Sequence, residues 1–127
     1  ELYFISPDAL QMPDHYLKDL QEVGITCHNT SDVFSVSNDL DVLYVTRIQQ
    51  ERFPDPMEYE KYKNAYRLDR SLLSHIKEDL TIMHPLPRVG EINPELDETP
   101  HAIYFEQAGN GVTVRKALLA LVLGKVT

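Results

Sequence analysis

The chain has 127 residues, a formal net charge of −8 and 43% hydrophobic residues with only 5 Gly, so it can bury one modest core as a single domain, residues 1–127, and is not a disordered tail. Its basic residues form no run, which excludes an electrostatic footprint for nucleic acid or an anionic membrane; an anionic ligand would need locally focused arginines. The lone Cys27 has no partner for an internal disulfide and no ligand-spaced companion, which fits a reducing compartment, with the cytosol as the default, and excludes a cysteine-based zinc site.

Leu2-Tyr-Phe-Ile5 is a short apolar run of strand formers stopped by Ser6-Pro7, and it reads as a buried strand because nothing alternates along it. It carries no basic n-region, and no apolar run in the chain approaches ~18 residues, so a soluble protein is expected. Asp14 opens a helical pattern through Tyr16, Leu17, Leu20 and Val23, with Gly24 placed to end it. Ile25-Thr-Cys-His28 predicts a second strand, Ser31-Asp32 can cap a short helix through Val33, Phe34 and Val36, and Val42-Leu-Tyr-Val45 is the clearest strand.

A long polar segment with Pro54 and Pro56 follows Thr46, and its length points to a functional loop, with a helical piece around Tyr59 to Tyr66. Asp69 to Ile76 has the capping start and apolar spacing of a helix, and Leu80-Thr-Ile-Met83 predicts another strand. That strand runs into a proline-punctuated loop, His84 to Pro100; a last helix is expected over Thr113 to Leu123, with Gly109-Asn-Gly111 as punctuation at its entry. Strands alternating with helices argue a parallel sheet with helices on both faces.

In such sheets ligands bind beyond the carboxyl ends of the strands, and both Thr46-Arg47 and His84-Pro85 begin where a predicted strand stops. The two loops are therefore expected to converge on one crevice. Arg47, Gln49, Glu51 and Arg52 form a dense polar set; a guanidinium matches a carboxylate or phosphate with two parallel hydrogen bonds, and a neighbouring glutamate can hold it in one rotamer. The same set also reads as a solvated loop whose charges pair weakly. In His84-Pro-Leu-Pro-Arg88 two prolines fix φ and remove backbone donors, leaving carbonyl oxygens as acceptors for an amino or amide group, unless the segment is only a rigid turn leaving the sheet. His84 has no metal-ligand partner at helical spacing, and His15, His28, His75 and His101 are scattered. Ser71 and Ser74 lack a nucleophile-elbow pattern.

Val45-Thr-Arg-Ile-Gln-x-Glu-Arg52, Met83-His-Pro-Leu-Pro-Arg-Val-x-Glu-Ile92, Ala102-x-Tyr-Phe-x-Gln-Ala-x-Asn-Gly111 and Arg115-x-Ala-Leu-Leu-Ala-Leu-Val-Leu123 together closely resemble the aspartate carbamoyltransferase family, in its C-terminal aspartate-binding domain, over essentially the whole chain. The resemblance implies an α/β, three-layer, doubly wound parallel sheet (Rossmann-like) that here lacks the domain's first strand and helix. It implies transfer of a carbamoyl group from carbamoyl phosphate to L-aspartate, an early step of pyrimidine synthesis, with no cofactor, metal or covalent intermediate. By motif position, Arg47 and Gln49 would bind the aspartate carboxylates, with Glu51 and Arg52 restraining that loop. The backbone of Pro85 and Leu86, together with Pro87, would face the carbamoyl group and the amine. Arg88 would brace the loop, His84 would support it, and Glu91 would support the arginines across the cleft. The partners implied are the two substrates, a carbamoyl-phosphate-binding domain absent from this sequence, a catalytic homotrimer and a regulatory chain, in the cytoplasm.

Where the family pattern has an aspartate after Pro-Arg-Val, this chain has Gly90, a loss expected to loosen the loop or remove an ion pair. The segment from Arg52 to Tyr66 is the expected mobile element, and Leu118, Leu121 and Val122 of the last helix are expected to pack against another domain as well as this one. Ornithine carbamoyltransferase is the sister alternative; it typically has a cysteine in the His84-Pro-Leu-Pro87 loop, and its cationic substrate does not call for Arg47. A silent dicarboxylate-binding or assembly module is the other alternative.

Overall fold

The computed structural model describes residues 1–125, apart from the side chain of Arg52. Four strands form: β1 (Leu2–Ile5), β2 (Cys27–Thr30), β3 (Val42–Tyr44) and β4 (Thr81–Met83), with helices α1 (Asp14–Glu22), α2 (Pro56–Tyr62) and α3 (Tyr104–Val122). All pairing is parallel, β1 with β2 and β3 with β4, in two separate two-stranded sheets. The two pairs do not join into one sheet among the described residues: a cleft of about 680 Å³ lies between them, lined from one side by Leu2, Tyr3 and Ile5 and from the other by Val42, Leu43 and Tyr44. Backbone groups alternate in direction along a parallel strand. The N–H groups of Leu2 and Ser6 donate to β2 and its flank, so Tyr3 and Ile5 turn theirs to the cleft; on β3 the bonds through Asp41 and Val45 to β4 turn Val42 and Tyr44 there likewise.

Beyond β4 the sheet gains a one-residue bridge between Ile82 and Ala102, and a second parallel bridge joins Leu68 to Ile92. These additions gather the core, in which Leu72, Leu80, Ile82, Ile92, Leu96 and Tyr104 are fully buried around β3 and β4. The β1–β2 pair is thinner; β1 is half-buried rather than the buried strand the apolar run predicts, because one of its edges borders the cleft.

Local departures have local causes. Residues 31–39 form turns instead of a short helix, since the Asp32 carboxylate takes the Phe34 N–H at 2.9 Å and Ser35 Oγ donates back to the Asp32 carbonyl at 2.7 Å. Such side-chain bonds compete with helical ones. The Asp69 segment is a 3-10 turn, Arg70–His75, with the Asp69 side chain capping the Ser71 N–H. The helical piece after Pro54 begins earlier than expected, at Pro56, capped by Asp55.

The last helix starts nine residues before the expected point and runs through Gly109 and Gly111, so these glycines are interior and not entry punctuation. Its first turns are held by an ionic knot: the Arg88 guanidinium grips both carboxylate oxygens of Asp97, one at 2.6 Å, and the Tyr104 hydroxyl donates to the same carboxylate. Arg88 holds the Asp97 carboxyl below the usual range, while burial first and then the Asp97 bond push the Tyr104 hydroxyl up to about 12. Further along, the helix leaves the body. Leu118, Leu121 and Val122 are 55%, 61% and 83% exposed, so the expectation that they also pack against this domain is not met. No helix among the described residues is long and apolar enough to cross a membrane.

Because Ile82 sits in the fully buried centre and Leu118 on the projecting helix, Ile82→Ala should lower the unfolding free energy by about 2–5 kcal/mol and Leu118→Ala by no more than about 0.5 kcal/mol. Urea denaturation at neutral pH would measure both, and comparable losses would contradict this distribution of the core. A carboxylate whose folded pKa is depressed stabilises fully above its unfolded value and loses that contribution as pH falls through the folded one. Asp97→Asn should therefore be less stable than wild type at pH 7, with the gap closing as pH drops below about 4; a gap independent of pH would show that the charge of Asp97 contributes nothing.

Candidate active site

Pairing β3 with β4 in parallel register, Tyr44 opposite Met83, sends two loops out of the same edge. The first carries Arg47, whose guanidinium Nη2 donates to Glu51 Oε1 at 2.8 Å across an i,i+4 spacing. This ion pair is largely exposed, so it orients Arg47 more than it stabilises the fold. The loop continues through a 3-10 turn, Gln50–Arg52, into α2, with Phe53 packed against Tyr59 and Tyr62. Gln49 is exposed, and the side chain of Arg52 lies outside the described residues.

The second loop is closed on itself. His84 is buried at 1% exposure; its Nε2 lies 2.7 Å from Glu91 Oε1, and its Nδ1 accepts the Leu86 N–H at 2.8 Å. The other Glu91 oxygen accepts the N–H groups of Val89 at 3.1 Å and Gly90 at 2.9 Å. Burial alone would raise the Glu91 carboxyl, but the donors from Gly90, Glu91 itself, Val89 and His84 outweigh it and hold the group below the usual range. The Gln107 amide oxygen, from α3, accepts the His84 N–H at 3.0 Å. Pro85 and Pro87 are exposed, Leu86 is half-buried with φ of +51°, and the Leu86–Pro87 peptide is cis.

The two loops meet in a cavity of about 300 Å³ lined by Thr46, Arg47 and Ile48 from one side and by Val89, Gly90 and Glu91 from the other. Tyr59, Lys63, Asn64 and Tyr66 close it from α2 and the segment after it, so the stretch expected to be mobile also lines the site. The larger cleft between the two sheets is elsewhere, at the strand edges, although Thr46 and Tyr66 border both.

Of the expected site residues only Arg47 and Glu91, among those described, line this cavity; Gln49, Glu51, His84, Pro85, Leu86, Pro87 and Arg88 lie outside its lining. Arg47 and Glu91 line the same cavity, but the Glu91 carboxylate is engaged by its own loop, and Glu51 is the acid that grips Arg47. Arg88 points to Asp97 and Tyr104, which ties the loop to α3. Gly90 leaves Arg88 its acid partner, and a Cβ at position 90 would meet no atom within 4 Å. Sequence reasoning missed Asp97, Tyr104, Gln107 and Lys63. Tyr104 and Gln107 both stand inside one of the quoted motifs, which was the signal available; Asp97 sits in an acidic stretch where nothing marks it. Among the described residues no three His, Cys, Asp or Glu side chains gather to hold a metal ion.

Residues 1–122 match the family model for the aspartate/ornithine carbamoyltransferase Asp/Orn-binding domain. The chain is 56% identical over 124 residues to the aspartate carbamoyltransferase catalytic subunit of Thermococcus onnurineus, covering 98% of this chain and 40% of that one. It superposes on the catalytic subunit of M. jannaschii aspartate transcarbamoylase with a TM-score of 0.83 and 43% identity, over 98% of this chain and 41% of that one. For aspartate transcarbamoylase from Trypanosoma cruzi in complex with carbamoyl phosphate and aspartate the TM-score is 0.81 at 36% identity, over 92% of this chain and 39% of that one. The chain thus spans about two fifths of the length of the relatives it matches. With the parallel strand pairs, the two converging loops and the match over residues 1–122, the chain belongs to the aspartate/ornithine carbamoyltransferase family and corresponds to its Asp/Orn-binding domain.

Proposed function

We propose that this chain is the aspartate-binding half of an aspartate carbamoyltransferase, which joins carbamoyl phosphate and L-aspartate into N-carbamoyl-L-aspartate and phosphate in pyrimidine biosynthesis. The observation that carries the reading is Arg47, braced by Glu51 at the carboxyl edge of the β3–β4 ladder, in a cavity shared with the second loop. A cavity of about 300 Å³ suits a small amino diacid, at the low end of ligand sites. Arg47 and Gln49 bind the substrate carboxylates, while Lys63 at the rim is paired with Glu60 at 2.5 Å. The second loop presents Pro85, Leu86 and Pro87 to the carbamoyl group and to the amine, with Arg88, His84 and Glu91 holding it in shape.

In the reaction the aspartate amine attacks the carbamoyl carbon, the new C–N bond forms, the C–O bond to phosphorus breaks, and phosphate leaves with the proton lost by the amine. Nothing in this step calls for a covalent intermediate or a cofactor. Holding two reactants at near-attack distance can contribute ~7–11 kcal/mol, and this chain supplies one of the two grips. A separate carbamoyl-phosphate-binding domain supplies the other. The exposed apolar stretch of α3, from Val112 to Leu123, is the surface on which that domain packs, since so large an apolar face rarely stays wet.

The cleft between β1 and β3 is the place of a further strand from outside residues 1–127, parallel to both neighbours, which would complete a doubly wound sheet with helices on both faces. Two strand edges facing one apolar cleft support this. The complete enzyme is a cytoplasmic catalytic homotrimer, and the designation of the relatives as catalytic subunits supports a regulatory companion. Ornithine in place of aspartate is disfavoured by Arg47 and by a second loop without cysteine.

In the complete enzyme, Arg47→Ala should weaken kcat/KM for aspartate by about 2–5 kcal/mol, the cost of removing one partner from a desolvated charge pair, which is roughly thirtyfold to several thousandfold. Steady-state assays of carbamoylaspartate formation would read it. Kinetics unchanged by the substitution would remove Arg47 from the site, and turnover of ornithine ahead of aspartate would replace the substrate.

A further inference from the structure

We infer that His84 is the positioning residue of the second loop: a neutral imidazole with its proton fixed on Nε2, whose bare Nδ1 holds the Leu86 backbone in the conformation that faces the substrates. The inference rests on the proposed function only in the last clause. Its geometry is independent of it.

A backbone N–H can only donate, and the Leu86 N–H lies 2.8 Å from Nδ1, so Nδ1 must accept. The ring proton then sits on Nε2, 2.7 Å from Glu91 Oε1, where a carboxylate can only accept. A second proton on the ring would set two donors against each other at Nδ1, in a site where His84 is 1% exposed and water cannot relieve the clash. The opposite tautomer would place a donor against the Leu86 N–H and a bare nitrogen against a carboxylate. One protonation state satisfies both contacts.

The bond to Leu86 has a specific task. Leu86 has φ of +51°, a left-handed conformation that a leucine side chain disfavours and that persists only where its surroundings impose it. The Nδ1 contact reaches from His84 across Pro85, which has no N–H of its own, to that residue. Glu91 in turn fixes the ring while its second oxygen takes the Val89 and Gly90 N–H groups, and Gln107 fixes the His84 backbone from α3. The ring therefore links both ends of the loop, and residues 85–87 lie between. His84 need not touch either substrate.

Three measurements test this. Long-range 1H–15N correlation spectra of the imidazole in this chain at neutral pH should show a protonated Nε2 and a bare Nδ1; a proton on Nδ1, or on both nitrogens, would overturn the inference whatever the enzyme does. Two variants then separate the ring's bonds. His84→Asn keeps an oxygen near the Nδ1 position and loses the donor to Glu91, whereas His84→Gln keeps a donor near Nε2 and loses the acceptor for Leu86. Leu86 amide hydrogen exchange should quicken in His84→Gln and be restored in His84→Asn. In the complete enzyme, turnover should fall by about tenfold to a hundredfold in His84→Gln, as for a small displacement of a reacting group, with the aspartate KM little changed, and His84→Asn should recover most of that loss. Equal exchange and equal turnover in the two variants would reduce His84 to general packing. Failure of the proposed function is distinguishable, because it would appear as wild-type enzyme that does not carbamoylate aspartate while the tautomer and the exchange pattern stay as described.

Discussion

Three residue pairs, Val42 with Thr81, Leu43 with Ile82 and Tyr44 with Met83, fix everything that follows. Parallel pairing makes both strands end at the same edge, so the loop after Val45 and the loop after Met83 leave side by side although 37 residues lie between Val45 and Met83. A one-residue slip would exchange the buried face of β4, where Ile82 lies at the centre of the core, for the faces of Thr81 and Met83. Register is thus set by burial, and the position of the site is set by register. The bridge from Ile82 to Ala102 extends the same constraint to the start of α3.

Loops placed by a sheet still need fixing, and the two are fixed by different physics. The Arg47 loop depends on a largely exposed ion pair and on the packing of Phe53 against Tyr59 and Tyr62. Such restraints are weak. The His84 loop instead depends on hydrogen bonds gathered around the buried His84 ring and the Glu91 carboxylate, and Arg88 ties its far end to Asp97 and Tyr104. One side of the cavity is compliant and the other stiff. That asymmetry is consistent with the different roles proposed for the two loops.

Much of this was legible in the residues. The apolar runs Leu2-Tyr-Phe-Ile5, Val42-Leu-Tyr-Val45 and Leu80-Thr-Ile-Met83 announced the strands at Leu2–Ile5, Val42–Tyr44 and Thr81–Met83, although none of the three is buried along its whole length. Arg47 and Glu51 announced their pairing as neighbouring opposite charges in one polar loop. What stayed hidden was non-local or not periodic. The helix through Tyr104 to Val122 mixes polar and apolar residues around its axis, so no stripe marked its beginning, and its two glycines looked like punctuation at its entry when they are interior. The turns after Ser31 replaced a helix because Asp32 and Ser35 could satisfy the backbone by themselves. The partners of Arg88 and of His84 come from Asp97, Tyr104 and Gln107, and only the folded chain brings them within reach. The separation into two sheets was foreseeable only through family resemblance, since strand order leaves no trace in a single strand's pattern.

The central claim is that two strand-terminal loops grip one amino diacid between them. A crystal structure of the complete enzyme with L-aspartate and phosphate would test it most directly. The account predicts a substrate carboxylate within hydrogen-bond distance of the Arg47 guanidinium, with the amine directed toward the backbone of Pro85 and Leu86. An aspartate bound away from either loop, with Arg47 turned to solvent, would contradict it.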